Sequence, residues 1–318
     1  MEPHVPVMKP EVLDIVGAHI SGNEDGFFLD ATLGGGGHSA AILEKFGNLT
    51  VVGFDRDETA REIAAGNLRE FGQRMRIIAA NFAEIEERAA ELTEMAGGQF
   101  IGVLFDLGVS NMQLTTPERG FSYQENGPLD MRMDRNEDLP TAADILRESG
   151  VRDLTTIFRD YGEERHAFRI ANAIVRSKDA GFIPETTGEL SDLIRRVLPA
   201  PVQRKAGGHP ARRVFQALRI AVNSELEAIP AGLRGALKIT RGEGVIIVIA
   251  YHSLEDRIVK RLFRDWASEG MGELVAKRPL KPANEEIAVN RKSRSAKLRA
   301  FRVQSHSRFR EFMDELGV

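Results

Sequence analysis

The stretch Asp30-Ala31-Thr32-Leu33-Gly34-Gly35-Gly36-Gly37-His38-Ser39 stands between a short apolar run, Phe27-Phe28-Leu29, and an apolar helical pattern, Ala40 to Phe46. Consecutive glycines sacrifice backbone entropy, so a strand-to-helix turn built this way needs a reason. Position offers one: a nucleotide-like ligand approaching bare backbone at a helix N-terminus. The alternative is an ordinary flexible turn. Outward from this turn, one pattern repeats. Thr50 to Phe54 runs into Asp55, Met75 to Ala79 leads to Asn81, and Ile101 to Phe105 runs into Asp106. Between these β-rich runs, Thr59 to Phe71 and Ala83 to Met95 carry apolar residues at helical spacing. Such alternation predicts a parallel sheet with crossover helices, whose ligands sit beyond the carboxyl ends of the strands.

After Asp106 the pattern breaks. Leu107 to Pro140 reads as a loop with Thr-Pro, Arg-Gly and Gly-Pro punctuation, and a loop of that length in a compact domain usually carries function. From Thr141 to about Arg213 only helices are readable. One spans Glu163 to Lys178, with Ala167, Ile170, Ala171, Ile174 and Val175 on a stripe; another opens on the capping pair Thr186 and Glu189. The sheet pattern resumes with an amphipathic helix, Arg212 to Ile229, a strand, Val245 to Ala250, a helix, Leu254 to Trp266, and a strand, Leu298 to Val303. The expectation is an α/β domain of residues 1–113 and 213–318, interrupted by an inserted all-helical domain at 114–212.

The composition of the 318-residue chain, 42% hydrophobic and 28% charged, is that of a globular protein. It contains no cysteine, which excludes disulfides, thiolate metal sites and a cysteine nucleophile. The histidines show no metal-binding spacing, so no metal is expected. No signal peptide or membrane-length apolar run is present, and a cytoplasmic protein is expected. The net charge of −4 hides a division. Residues 1–150 hold 12 Lys+Arg against 26 Asp+Glu, whereas residues 151–318 hold 31 against 21. Arg195 to Arg213 and Arg291 to Arg310 contain no acid at all. One basic run is commonly just a solvated face; two acid-free runs fit the neutralisation of consecutive phosphates.

The chemistry of the ligand can be narrowed. A dinucleotide loop spaces its glycines G-x-G-x-x-G, whereas these are contiguous and follow a carboxylate, Asp30. A carboxylate there suits a cationic amino or sulfonium group better than a diphosphate, which favours S-adenosylmethionine. Asp55, roughly 20 residues on, is placed to accept hydrogen bonds from ribose hydroxyls, with Asp57 as a near alternative. Asn81-Phe82 is placed to pair with and cover an adenine, although a lone Phe is as often core. Asp106 sits where methyl donor and acceptor should meet, but without the Asp/Asn-Pro-Pro-aromatic tetrapeptide of DNA amino-methyltransferases. His252-Ser253-Leu254-Glu255-Asp256 reads as a helix start capped by Ser253 rather than as a hydrolase triad.

Further blocks extend the pattern: Phe54-Asp55-Arg56-Asp57, Asp106-Leu107-Gly108-Val109-Ser110, Glu118-Arg119-Gly120-Phe121-Ser122, Gly127-Pro128-Leu129-Asp130-Met131-Arg132-Met133-Asp134, Tyr161-Gly162-Glu163-Glu164-Arg165, Phe215-Gln216-Ala217-Leu218-Arg219-Ile220, and His252 to Arg257. With these in order over nearly its whole length, the chain resembles the bacterial 16S ribosomal RNA cytosine-N4 methyltransferases. The resemblance implies a class I (Rossmann-like) S-adenosylmethionine methyltransferase sheet with a helical insertion, and methylation of a decoding-region cytosine within the small ribosomal subunit. It implies cofactor contacts at Gly36, Gly37, His38, Asp55, Phe82, Asp106 and Gln113. Two departures stand out. Ser110-Asn111-Met112-Gln113 replaces the family's usual Ser-Ser-Pro-Gln, and Asn290-Arg291-Lys292 replaces its Asn-Pro-Arg.

Cytosine N4 is a poor nucleophile, so a group that orients it and takes its proton is needed; Asp106 is the candidate. Phe121 and Tyr123 are candidate stacking platforms or, equally, buried loop anchors. Arg204, Lys205, Arg212, Arg213, Arg291, Lys292, Arg294 and Lys297 are candidate RNA contacts. A homodimer is compatible with the sequence. Two rivals share some of these features: an NAD-dependent oxidoreductase and a non-catalytic RNA-binding factor.

Overall fold

The computed structural model describes residues 6–20, 25–201 and 209–304. The chain divides into two compact units, Met1–Gly108 with Leu226–Val318, and Val109–Glu225.

The first unit is built on a seven-stranded sheet, β1 Gly26–Asp30, β2 Leu49–Asp55, β3 Met75–Ala79, β4 Phe100–Asp106, β5 Thr240–Ala250, β6 Gly272–Leu274 and β7 Lys297–Val303, in the order β3-β2-β1-β4-β5-β7-β6. Strands β1 to β5 run parallel, and β7 lies antiparallel between β5 and β6. The parallel strands are those that the alternation predicts, and the seven-stranded order agrees with the class I (Rossmann-like) sheet that the resemblance implies. Its central strands read as unbroken apolar runs because helices cover both faces of a parallel sheet. Side-chain alternation sorts them. Leu29, Val52, Val103, Phe105, Ile246 and Val248 enter one core, and Phe28, Val51, Leu104, Ile247 and Ile249 the other. Helices α1 Lys9–Ala18, α2 Gly37–Lys45, α3 Glu58–Asn67 and α4 Ala89–Met95 accompany the first four strands. The helix expected over Ala83 to Met95 is shorter, because a 3-10 turn, Phe82–Ile85, precedes it under an Asn81–Glu84 capping box.

The second unit is helical. Its elements are α5 Asn111–Thr115, α6 Ala142–Glu148, α7 Val151–Asp160, α8 Ala167–Asp179, α9 Thr187–Val197 and the helix Arg212–Asn223. They close around Leu146, Leu154, Phe158, Ile170, Ile174, Leu190, Ile194, Val214 and Leu218. The Thr186–Glu189 capping box opens α9 as expected. The stretch 107–140 is not a bare loop. It contains α5 and a 3-10 turn, Pro117–Arg119, and it is tied down by Asn223, whose amide donates to the Met131 carbonyl and accepts from Met133 N, both at 2.8 Å.

The units part after Gly108 and after Glu225, where the sequence reading has Gln113 and Arg212. Two packing facts explain the difference. Val109 and Leu114 join the helical core, and so do Val214, Phe215, Ala217, Leu218 and Val222. The single helix expected from Arg212 to Ile229 is two, Arg212–Asn223 and Glu225–Ile239, separated by Ser224 in the left-handed region at φ 49°. The first packs in the helical unit and the second returns the chain to the sheet.

Candidate active site

Because β1 to β5 are parallel, their carboxyl ends share one edge, and the strand order reverses between β1 and β4, which is where such sheets hold ligands. Register aligns the polar residues that end the strands: Asp30 pairs with Gly53 and Leu104, Asp55 with Ala79, and Asp106 with Ile249. The glycine turn is stitched across this edge. Ala31 N donates to Leu104 O and Leu33 N to Phe54 O, both at 2.8 Å, and Gly34 N donates to Asp55 Oδ2 at 2.8 Å. Gly36 opens α2 with φ 82°, and a Cβ there would stand 2.6 Å from Leu68 Cδ1, so glycine is required by the backbone itself.

The three carboxylates have different duties. Asp30 is 1% exposed and faces inward, with Oδ2 accepting from the Ser39 hydroxyl at 2.7 Å and Oδ1 from Thr32 N at 3.3 Å. Burial pushes its carboxyl above the usual range. The sequence reading gives Asp30 a part in choosing a cationic ligand; in the structure it anchors the turn instead. Asp55 accepts from Gly34 N and, through Oδ1, from Asp57 N at 2.8 Å. A carboxylate oxygen has two lone pairs, so each keeps one for a hydroxyl. Burial raises the Asp55 carboxyl to about 6. Asp57, the alternative, is committed as the N-cap of α3, accepting from Thr59 N at 3.1 Å. Phe82 follows Asn81 at the end of β3, meets Phe105 edge-to-face at 5.7 Å, and is closely approached by the backbone of Gly232, where a Cβ would stand 2.7 Å from its ring.

Asp106 is the most elaborately held. Its backbone N–H donates to Thr32 Oγ1 at 2.6 Å, its Oδ1 accepts from the Tyr251 hydroxyl at 2.7 Å, and its Oδ2 lies 3.6 Å from His38 Nε2. The His38 ring is 6% exposed, and neither nitrogen makes a hydrogen bond within the described residues. Burial, and then Asp106 itself, push the Tyr251 hydroxyl well above its ordinary value, so it stays a donor. Sequence reasoning missed Tyr251, ending the strand at Ala250 and assigning no role to the residue after it. The available signal was register: Asp106 pairs with Ile249, and Tyr251 lies two residues beyond, on the same side of the strand.

The sequence profile of the MraW methylase family matches residues 1–304. The chain belongs to the MraW methylase family. Among its relatives, the ribosomal RNA small subunit methyltransferase H of Symbiobacterium thermophilum is 42% identical, over 93% of this chain and 95% of that protein. The namesake from Heliobacterium modesticaldum is 43% identical, over 93% and 97%, and that from Persephonella marina 44%, over 94% and 98%.

An MraW methylase uses S-adenosylmethionine, and the sheet edge fits that donor. Asp55 offers unused lone pairs for two hydroxyls, and the shielded nitrogens of His38 await a partner. Gln113 belongs to the helical unit of this methylase, is 6% exposed, and closes a capping box with Ser110, its Oε1 accepting from Ser110 N at 3.0 Å. The box forms without the family's usual Ser-Pro ahead of Gln113.

The basic candidates of the methylase fare unequally. Arg204 and Lys205 lie outside the described residues, as does the end of the run to Arg310. Arg212 and Arg213 are exposed on the first turn of their helix, Arg213 donating to Glu163 O at 3.0 Å. Arg291 and Arg294 are exposed on a 3-10 turn, Arg291–Ser295. Between them Lys292 is half-buried, its amine has no hydrogen-bond partner among the described residues, and burial lowers it to about 8. Lys297 is engaged: Asp256 holds its amine at 2.9 Å and the Arg299 guanidinium at 2.7 Å. Burial pushes the Asp256 carboxyl up, but the two cations outweigh it and hold it below the usual range. The N-cap of the helix Ser253–Ser268 is His252 rather than Ser253, in a capping box with Glu255. Both loop aromatics pack within the helical unit: Phe121 is buried, and the half-buried Tyr123 stacks on His209 at 4.6 Å and meets Phe215 edge-to-face at 5.7 Å. Among the described residues, no helix is long and apolar enough to cross a membrane.

Proposed function

We propose that the protein transfers a methyl group from S-adenosylmethionine to the exocyclic N4 of a cytosine in the decoding region of 16S ribosomal RNA, acting in the cytoplasm on the small ribosomal subunit. The observation that carries this reading is the clamped carboxylate of Asp106 at the switch point of a MraW methylase sheet. The relatives named small subunit rRNA methyltransferases support the substrate class.

S-adenosylmethionine supplies a methyl group on a positively charged sulfur. Asp55 accepts the ribose hydroxyls, Phe82 covers the adenine, and Gly36, Gly37, His38 and Gln113 complete the donor contacts. The N4 lone pair is delocalised into the cytosine ring, so fixing its direction is the largest contribution the protein makes. Asp106 does this by accepting one N–H of the amine on Oδ2, while Tyr251 pins Oδ1. As the N–C bond forms and the donor's S–C bond breaks, its electron pair staying on sulfur, the nitrogen becomes acidic, and its proton passes to Asp106 and then to solvent. The base must leave its stack to reach this edge, which is easiest in single-stranded RNA. Within the helical unit, Arg212 and Arg213 take phosphates, joined by Arg204 and Lys205. From the sheet unit Arg291, Lys292 and Arg294 do the same, and Lys297 anchors that segment to Asp256.

The test is labelled methyl transfer from S-adenosylmethionine to small subunits lacking the modification and, separately, to free 16S RNA, with the product nucleoside identified. N4-methylated cytidine formed on the subunit is expected. A methyl on carbon 5 or on a ribose, or no incorporation into either substrate, refutes the reading.

A further inference from the structure

On the helical unit, α7 and α8 leave an open groove of 490 Å³ lined by Val151, Arg152, Thr155, Thr156, Arg159 and Phe168. Phe168 is 66% exposed although it sits on the first turn of α8, beside Ala167, Ile170, Ala171 and Ile174, which are all buried. Its exposure contrasts with Phe121, Phe158 and Phe215 of the same unit, which are buried. The lining has no carboxylate. Arg152 is exposed and makes no ion pair or side-chain hydrogen bond within the described residues, and the same holds for Arg165 and Arg169, which flank Phe168 in sequence. Arg159 is paired with Asp160 at 2.7 Å, out in solvent where such pairs are weak. Asp153, the other acid on α7, accepts from Gly150 N at the helix start.

A helix or a second copy of this chain would want a broad apolar surface, and this groove offers only Val151 and Phe168 for it. An exposed aromatic side chain in a groove also lined by two guanidinium groups fits a polyanion with flat bases. Bases stack on aromatic rings whatever their identity, and arginines neutralise the intervening phosphates. We propose that the α7–α8 groove is a platform for a single-stranded segment of ribosomal RNA, with one unstacked base on Phe168 and its neighbouring phosphates at Arg152 and Arg159. The proposal rests on the reading of the protein as an rRNA methyltransferase and gives the helical unit a specific share in it.

The test places a photoreactive azidophenylalanine at position 168 of the full-length protein and irradiates it with unmodified small subunits. Crosslinks mapping to a single-stranded stretch of 16S RNA are expected. Crosslinks confined to a ribosomal protein or to a second copy of the chain, or no crosslink at all, overturn the platform. In parallel, Phe168→Ala should weaken affinity for the subunit about ten-fold while donor affinity and the rate on saturating subunits stay unchanged, and Phe168→Trp should restore binding. Arg152→Gln with Arg159→Gln should flatten the dependence of binding on salt. Full subunit affinity in Phe168→Ala, with methylation intact, removes the platform and leaves the enzymatic reading standing; absence of methylation by the unaltered protein strikes that reading instead.

Discussion

The carboxyl edge of the sheet and the outer face of α7 and α8 use charge in opposite ways. At the edge, Asp30 and Asp55 each accept two hydrogen bonds, and Asp106 accepts one from the Tyr251 hydroxyl while its backbone N–H donates to Thr32 Oγ1. On the helical face, Arg152, Arg165 and Arg169 are exposed and have no carboxylate partner among the described residues. Buried polar groups must be satisfied, and satisfying them fixes direction, which is what chemistry at a single atom requires. Exposed, unpaired cations fix nothing, but they attract a polyanion from a distance and lose that attraction as salt rises. Substitutions at the edge should therefore change the rate or donor affinity at any salt, and substitutions on the face should change subunit affinity in proportion to salt.

The largest effect should come from Asp106→Asn. The amide can still accept the Tyr251 hydroxyl, so the fold is kept, but it cannot take a proton, and single-turnover methylation of saturating subunits should slow by 100-fold or more. A rate within a few-fold of the parent would break the contrast by moving the chemistry away from this edge.

Asp55 sharpens the contrast through pH. Burial pushes its carboxyl up from the ordinary 3.8 to about 6 in the folded chain. The folded state thus holds a proton that the unfolded chain has lost. Its contribution to stability is present below about 3.8 and is lost as pH rises through about 6. Donor affinity should run the other way, because protonation uses a lone pair that a ribose hydroxyl needs. Calorimetry should find donor binding weakening as pH falls below about 6. Asp55→Ala should bind the donor roughly ten- to a hundred-fold more weakly at neutral pH, and Asp55→Asn should lose the pH dependence. Affinity that is flat across this range in the parent would take Asp55 out of the donor contacts.

What could be read in advance follows the same divide between local pattern and distant partner. The parallel strands were legible because burial on both faces leaves runs such as Phe100–Asp106 and Val245 to Ala250 almost wholly apolar. The helix Arg212–Asn223 was legible as a helix but not as a member of the helical unit, since an amphipathic stripe says that a face is buried and not against what. Lys297 and Arg299 read as loose positive charge because their partner, Asp256, lies 41 and 43 residues away. The aromatics show the same limit. Phe121 and Tyr123, which the sequence leaves equally as stacking platforms or buried anchors, are packed, whereas Phe168, which lies off the apolar stripe of its helix, is exposed.

Tyr251 is the subtlest probe of the edge. Tyr251→Phe keeps the ring and removes one hydrogen bond to a carboxylate that retains Thr32 and His38 as neighbours. Water can replace part of that bond, so the turnover number should fall only about ten-fold. Loss of general packing would instead raise KM for the subunit and weaken donor binding along with it, and neither should change here. The decisive comparison is the double variant. If Tyr251 acts by holding Asp106, then Asp106→Asn with Tyr251→Phe should be no slower than Asp106→Asn alone, because the second substitution removes support from a group that has already lost its function. Multiplying losses would place the Tyr251 hydroxyl against the base itself, and the carboxylate would then be steered by something else.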